Sequence, residues 1–172
     1  MIGDTTLSSN LDICADKCMS KCCKSTPPAL TEEDVKQILS KISSTHWMSF
    51  VDEEKRVPVV AKQADKKKCI FLTNENQCSI YNHRPLDCIL FPLFVKIEQL
   101  SFTTYRLRWL VWYCPLTEEK GQEELYENAR NLVLNYLQTA PDVIFDYQDK
   151  MQRSGGYKRK HFLKEEEITI MR

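Results

Sequence analysis

The stretch ICADKCMSKCC, residues 13–23, places four cysteines within ten positions, and no other feature constrains this chain as strongly. Thiols this close together are cross-linked, bound to a metal or buried in a core. The last two, Cys22 and Cys23, are adjacent, and neighbouring side chains diverge in an extended chain. Both can hardly enter one small tetrahedral site. Either one is a ligand and the other packs in the core, or the two serve different metals.

The eight cysteines fall into three groups: Cys14, Cys18, Cys22 and Cys23, then Cys69, Cys78 and Cys88, then Cys114. Thiolate is a soft ligand, and four thiolates suit either tetrahedral zinc or an iron–sulfur cluster. All eight are therefore candidate ligands. They suffice for two four-thiolate sites, and one site with other cysteines merely buried remains open. We expect metal binding to join the N-terminal loop to a sheet, which makes the metal part of the folding free energy.

The compartment and the charge of the chain limit the classes of partner. The sequence MIGDTTLSSNLD lacks the basic and apolar regions of a signal peptide, so we expect a cytoplasmic protein with reduced thiols. A disulfide-linked protein is the alternative. The 24 basic and 24 acidic residues balance, which gives no general attraction to nucleic acid or to anionic membranes. We expect a protein partner, no membrane and no nucleic acid.

Apolar periodicity predicts an α+β fold, with a small antiparallel sheet, packed helices and a cysteine-ligated metal centre that staples them. We predict one domain over residues 1–172, with a metal-binding core at 14–115, a helical part at 116–152 and a tail at 153–172. Helices are predicted from Thr31 to near residues 43–45, from Thr117 and from Pro141. Strands are predicted at VPVVAK, CIFL, CSIY, LFVKIEQ and SFTTYRLRWLVWY. The tail HFLKEEEITIMR is either a final strand or a mobile end.

The cysteines belong to a longer ordered pattern: C-x3-C-x3-CC, then CIFL, then CSIYNHRPLDCILFP, then WYCP. Over residues 14–115 this pattern resembles the cysteine-cluster family called the "putative zinc- or iron-chelating domain". The resemblance is carried by Cys22, Cys23, Cys69, Phe71, Leu72, Cys78, Ser79, Ile80, Tyr81, Arg84, Pro85, Cys88, Phe91 and Pro92, with Cys114 and Pro115 similar to a later CP of longer members. One departure concerns Cys18: the family usually has two residues before the cysteine pair, whereas MSK makes three here.

The resemblance implies metal chelation, and it also raises an enzymatic alternative. Flagellin lysine-N-methylase carries the same cysteine motif, so a methyltransferase, or a subunit associated with one, is a second hypothesis. With only four glycines and no glycine-rich loop after a strand, a Rossmann-type adenosyl-methionine site is not expected. The sequence identifies no catalytic residue, and we do not expect the isolated chain to be an enzyme.

The aromatic side chains near the cysteines favour one or two buried iron–sulfur centres of the 4Fe–4S type. Zinc is the alternative. The expected function is redox, cluster handling or metal delivery, and a zinc-stapled interaction module is a third hypothesis. We place Arg84 and Tyr81 beside the ligands, because they lie in sequence between Cys78 and Cys88. The guanidinium of Arg84 can offset thiolate charge or donate to sulfur, or it can pair with Asp87.

Overall fold

The computed structural model of the protein describes residues 5–42, 51–52, 56–65 and 67–171. Its N-terminal half contains α1 (Thr5–Cys18), α2 (Lys21–Ser25), α3 (Glu32–Leu39), β1 (Val51–Asp52), β2 (Val59–Val60), a 3-10 turn (Tyr81–His83) and α4 (Leu86–Leu90). Its C-terminal half contains β3 (Leu93–Gln99), β4 (Thr104–Val111), α5 (Pro115–Lys120), α6 (Gln122–Thr139), α7 (Pro141–Ser154) and β5 (His161–Thr169). These helices and the antiparallel sheet confirm the α+β class.

The main sheet has the order β3-β4-β5 and is antiparallel throughout. In β3 and β4 every second side chain is buried, and the register pairs Val95 with Trp109 and Ile97 with Leu107. This period of two is what the sequence shows, so the predicted hairpin is confirmed. The tail forms β5, which resolves the two alternatives for it in favour of a strand.

The carboxylate of Glu166 anchors β5 to the rest of the protein. It accepts hydrogen bonds from the indole N–H of Trp109 at 3.1 Å, the hydroxyl of Tyr126 at 2.8 Å and the Nε of Arg130 at 2.9 Å. Its side chain is 16% exposed. A half-buried carboxylate with three donors is well satisfied, so the final strand is tied to both β4 and α6.

Helices α6 and α7 cover the apolar face of the sheet with side chains spaced three or four residues apart. The buried residues are Leu125, Tyr126, Ala129, Val133 and Leu137 in α6 and Ile144, Tyr147 and Met151 in α7. The helix predicted from Thr117 is wrong in its bounds. It begins at Pro115 and is broken at Gly121, whose positive φ of 80° favours glycine.

Two side chains of the C-terminal half cover the outer edge of β3. Gln148 holds both backbone groups of Ile97: its Oε1 accepts from the N–H, and its Nε2 donates to the carbonyl at 2.9 Å. The hydroxyl of Tyr157 donates to the carbonyl of Val95 at 2.7 Å. These bonds take the place of a neighbouring strand for the Ile97 N–H and for the carbonyls of Ile97 and Val95.

A second, smaller core lies in the N-terminal half and is made of the buried side chains of Leu30, Ile38, Val60 and Ile80. Helix α3 enters it through the predicted capping box, in which the Thr31 hydroxyl accepts from Asp34 N–H at 3.0 Å and the Asp34 carboxylate accepts from Thr31 N–H at 2.8 Å. The helix ends at Leu39, earlier than predicted, and residues 43–45 lie outside the described residues.

The strands predicted at CIFL and CSIY are wrong. Residues 69–80 form successive turns with isolated bridges from Lys62 to Cys69 and from Leu72 to Cys78. The reason is that other groups take the backbone positions a strand needs. The carbonyl of Cys23 accepts the N–H of Cys69 at 2.7 Å, and the Gln63 amide donates to the carbonyls of Cys69 and Leu72 at 3.2 and 2.9 Å.

The N-terminal segment predicted as a loop is also wrong, because its cysteines lie on two helices, α1 and α2. The predicted strand VPVVAK is reduced to the two residues of β2. Within the described ranges, no helix combines the length and apolar character that a membrane crossing requires.

Candidate metal centre

All eight cysteines lie in the described part of the chain, are half-buried and carry free thiols. Their places in the fold are α1 for Cys14 and Cys18, α2 for Cys22 and Cys23, the turns of residues 69–80 for Cys69 and Cys78, α4 for Cys88, and the start of α5 for Cys114. Five separate pieces of the chain therefore supply thiols to one region of the molecule.

The end of α1 lies against α5, and this contact brings the first group of thiols together. Lys17 and Glu119 form an ion pair of 3.4 Å between the two helices. Cys14 and Cys18 are four residues apart on one helix face, and the Cys18 thiol donates to the Cys14 carbonyl with a separation of 3.4 Å. Cys114 is the N-cap residue of α5. Cys14, Cys18 and Cys114 thus line one side of the region.

Electrostatic effects place Cys22 near this first group, although its charge also acts on Cys69 and Cys88. Burial is the main cause that raises the pKa of Cys14 to about 12. The further causes are the negative charges of neighbouring sulfurs, those of Cys22, Cys18 and Cys114. Burial likewise raises the pKa of Cys114, and the charges of Cys22 and Cys18 contribute to it.

A second group forms around the turns of residues 69–80. The N–H of Cys69 donates to the Cys23 carbonyl at 2.7 Å, which fixes α2 to these turns. The N–H of Leu72 donates to the Cys69 carbonyl at 3.0 Å, and Leu72 forms a bridge with Cys78. Cys88 on α4 completes the group. Burial raises its pKa well above the ordinary value, and the charges of Asp87, Cys78, Cys69 and Cys22 add to that shift.

The adjacent cysteines of α2 lie between the two groups and are coupled to each other. The Cys23 thiol donates a hydrogen bond to the Cys22 sulfur, which lowers the pKa of Cys22 to about 7. The same bond is the main cause that raises the pKa of Cys23, and burial adds to it. The other sulfurs whose charges act on Cys23 are those of Cys88 and Cys69. Cys22 is therefore the first of the pair to lose its proton.

The three-residue spacer MSK is accommodated by two consecutive residues in the left-handed region. Met19 has φ 52° and Ser20 has φ 50°, and they end α1 and let α2 begin at Lys21. Ser20 is buried: its N–H donates to the Cys14 carbonyl at 2.8 Å and its hydroxyl to the Asn76 carbonyl at 2.6 Å. The extra residue relative to the family spacing is thus absorbed in a tight reversal of the chain.

Backbone N–H groups near sulfur act on the pKa of three cysteines. Those of Phe71 and Leu72 act to lower the pKa of Cys69, that of Ile80 the pKa of Cys78, and those of Leu116 and Thr117 the pKa of Cys114. Burial outweighs this effect and raises the pKa of each of the three thiols. N–H groups two or three residues after a cysteine favour the thiolate over the thiol, which is the form that binds metal.

Arg84 carries a buried positive charge between the two groups. Its Cζ lies 3.8 Å from the centre of the Tyr81 ring. Its Nε and Nη1 are buried and have no hydrogen-bond partner among the described residues. Its charge acts to lower the pKa of both Cys14 and Cys78, one thiol from each group. The Tyr81 ring partly compensates this charge, but two buried nitrogens without a hydrogen-bond partner are costly, so this position favours a nearby negative group.

Two carboxylates that sequence reasoning did not assign fix the position of Cys88. The buried Asp34 accepts from the N–H of Leu86 at 2.8 Å, in addition to its cap bond. Asp87 accepts from the N–H of Ala29 at 3.0 Å, and burial raises its pKa to about 6. The capping box pointed to Asp34 but not to its second bond. Asp87 is thus engaged with Ala29, away from the pairing with Arg84 considered above.

The donor set fits a thiophilic metal, although its geometry is not preformed. Among the described residues, no group of three or more histidine, cysteine, aspartate or glutamate side chains is already arranged to hold an ion. The fit rests on the reduced thiols, on the N–H groups near sulfur and on the unpaired nitrogens of Arg84. Metal binding has to draw the sulfurs together by small movements, which couples it to the local fold.

Comparison with known proteins gives two matches. The sequence model of the family described as "CxxCxxCC: Putative zinc- or iron-chelating domain" matches residues 13–128, which confirms the resemblance and extends it into α6. An uncharacterized protein of Methanocaldococcus jannaschii, MJ0661, is 40% identical over 75 residues, which are 41% of this chain. The match spans 40% of the length of that relative. No solved structure matches the chain.

Proposed function

Since the chain belongs to the family of "putative zinc- or iron-chelating" domains, we propose that it is a metal-binding protein whose cysteines hold a thiolate-ligated iron–sulfur centre. Family membership supports metal binding in general. The observation that carries the finer proposal is the gathering of eight free thiols in one region, beside an Arg84 guanidinium of which two buried nitrogens lack a hydrogen-bond partner. The residues that would hold the centre are Cys14, Cys18, Cys22, Cys23, Cys69, Cys78, Cys88 and Cys114.

The surroundings of the thiols favour iron–sulfur over zinc. Cys14 and Cys114 pack against the apolar main core, and the N–H groups near sulfur and Arg84 are the kinds of partner that set the potential of a cluster. A 4Fe–4S cluster would supply one-electron transfer at this position. The chain's own residues exclude water on the core side, orient the sulfurs and offset their charge. We infer a role in redox, cluster handling or metal delivery with a protein partner in the cytoplasm.

One observation favours a second candidate, a zinc-stapled interaction module. The thiols come from five separate pieces of chain, and closed, redox-silent zinc sites would join such pieces equally well. Methyl transfer has no comparable support. Glycines 121, 155 and 156 of the described chain follow helices rather than strands, so none forms a nucleotide-binding turn.

Anaerobic purification followed by iron, sulfide and zinc analysis tests the proposal. We expect brown protein with broad visible absorption and matching iron and inorganic sulfide contents. Colourless protein with stoichiometric zinc would support the interaction module instead. Protein that is free of metal and holds disulfides in the same preparation would overturn metal binding itself. Binding of adenosyl-methionine, measured on the metal-loaded chain by calorimetry, would return weight to the enzymatic alternative.

A further inference from the structure

The two hydrophobic cores divide four of the eight thiols between them. Cys14 and Cys114 pack against the main core of the sheet and of helices α6 and α7. Cys69 and Cys78 pack against the smaller core of Leu30, Ile38, Val60 and Ile80. A tetrahedral zinc–thiolate centre has Zn–S bonds of about 2.3 Å, so its sulfurs lie within about 4 Å of one another. Thiols attached to separate close-packed cores cannot all approach one such point without moving a core.

Independent contacts hold each set of thiols together. On the main-core side, the Lys17–Glu119 ion pair and the i,i+4 spacing of Cys14 and Cys18 keep the end of α1 beside Cys114. On the other side, hydrogen bonds link residue 23 to residue 69 and residue 69 to residue 72, and a bridge links residue 72 to residue 78. These contacts group Cys14, Cys18 and Cys114 on one side and Cys23, Cys69 and Cys78 on the other. Cys88 joins the second side as a fourth thiol, because the Leu86 N–H of its helix donates to Asp34 in α3.

The vicinal pair lies where the two sets meet. Consecutive residues on a helix point about 100° apart, since the helix has 3.6 residues per turn. Residue 23 is tied through its carbonyl to residue 69, on the side of the smaller core. Residue 22 is then left as the fourth thiol for the set of Cys14, Cys18 and Cys114.

We propose that the eight cysteines form two four-thiolate subsites, one of Cys14, Cys18, Cys22 and Cys114 and the other of Cys23, Cys69, Cys78 and Cys88. The proposal rests on the proposed metal-binding function and adds the number of centres and the ligand set of each. Arg84 lies between the subsites, where one guanidinium can offset the charge of both. Either iron–sulfur clusters or zinc ions can fill them, and the division of the thiols is the same for both.

Matched serine variants of the full chain test the division, with metal counted by anaerobic native mass spectrometry. Cys114→Ser and Cys78→Ser should each retain about half of the wild-type metal, and the double variant should retain none. Cys18→Ser and Cys69→Ser form a second pair. Cys18→Ser should give the same result as Cys114→Ser, and Cys69→Ser the same result as Cys78→Ser. Tyr113→Phe and Ser79→Ala, each next to a ligand but without a thiol, should keep the full content.

Hydrogen exchange of the same metal-loaded samples shows which subsite is lost. Cys114→Ser should lose protection at the α1–α5 contact and keep it at residues 69–80, and Cys78→Ser should do the reverse. Loss of all metal in every single variant, or equal loss of protection on both sides, would overturn the division while leaving metal binding intact. Wild-type protein without metal would instead overturn the proposed function, so the two failures are distinguishable.

Discussion

The C-terminal half packs two long helices on a three-stranded sheet, whereas the N-terminal half has a small core of four buried side chains and seven of the eight half-buried thiols. Apolar burial of about 25 cal/mol per Å² can hold the first together unaided. The second buries too little to offset the entropy of ordering its short helices and turns. The contrast teaches that one half is specified by its hydrophobic pattern and the other by its ligands.

Removal of the metal should produce the largest difference in stability between the two halves. Structural zinc contributes about 10–16 kcal/mol in small thiolate domains, so chelation should abolish protection in α1, α2 and residues 69–80. The strands β3, β4 and β5 should keep theirs. Hydrogen exchange measured before and after chelation, with metal added back as the control, checks this. Equal loss of protection in the sheet would show that the halves do not differ in this way.

A pair of leucine truncations breaks one core at a time. Both Leu107 and Leu30 are fully buried, the first in the sheet and the second in the smaller core. Leu107→Ala should lower the free energy of unfolding by about 2–5 kcal/mol whether or not metal is bound. Leu30→Ala should act mainly on the metal-loaded protein, because the smaller core is not expected to stay ordered without metal. Urea unfolding followed by tryptophan fluorescence and by exchange measures both. If metal changes the effect of both substitutions on the free energy of unfolding equally, the proposed difference between the two halves is wrong.

Acid should detach β5 from β4 and α6. Desolvation works to raise the pKa of Glu166, but its three hydrogen bonds hold that pKa below the ordinary value. Stability from a lowered carboxyl pKa is present above the unfolded pKa of about 4.3 and is lost as pH falls through the folded pKa. Glu166→Gln should cost about 1.5–3 kcal/mol at neutral pH and flatten this dependence. Exchange of β5 across a pH series measures it, and an unchanged acid limb in the variant would refute it.

Arg84→Met should be favourable in the metal-free protein and unfavourable in the metal-loaded protein. Without metal, the variant removes a guanidinium of which two buried nitrogens lack a hydrogen-bond partner, so stability should rise by about 1–3 kcal/mol. With metal, it removes the cation that offsets the thiolates, so affinity should fall and the potential of a cluster should become more negative. Arg84→Lys, which keeps the charge, is the matched control. Chelator competition and redox titration measure the effect, and the same sign in both states would contradict it.

The smallest expected effect concerns the turn between α1 and α2. Met19→Gly should stabilise the metal-loaded protein by about 1 kcal/mol, because glycine adopts a positive φ without the steric cost of a side chain. Met19→Ala keeps the Cβ and should give no gain. Denaturant unfolding of the two variants provides the test. A gain in both would mean that the exposed side chain, rather than the backbone, carries the cost.

The parts of the fold that depend on local pattern could be predicted. Alternation along β3 and β4 gave the hairpin, and Thr31 with Asp34 gave the start of α3. The strands predicted at CIFL and CSIY do not form. Their strand-like composition gives no information about the Gln63 side chain or the Cys23 carbonyl, which hydrogen-bond to the backbone of these turns. Such long-range competition for hydrogen bonds has no local signal.

The candidate site shows the same limit. The adjacency of Cys22 and Cys23 was enough to predict that one small centre cannot easily hold both. Which thiols accompany each of them depends on the packing of α1 on α5 and of Cys69 under α2, contacts more than forty residues apart in sequence. The unpaired nitrogens of Arg84 likewise become visible only once the surrounding atoms are in place.

The treatment of the sheet edges protects the protein when the cysteine region opens. An exposed strand edge is a template for pairing with other chains and for aggregation. On β3, Gln148 and Tyr157 occupy the positions that a foreign strand would use. On β5, Lys164, Glu165 and Glu167 give the other edge strand charges of both signs. Both edges of the sheet are therefore protected against self-association by groups of the C-terminal half alone, independently of the cysteine region.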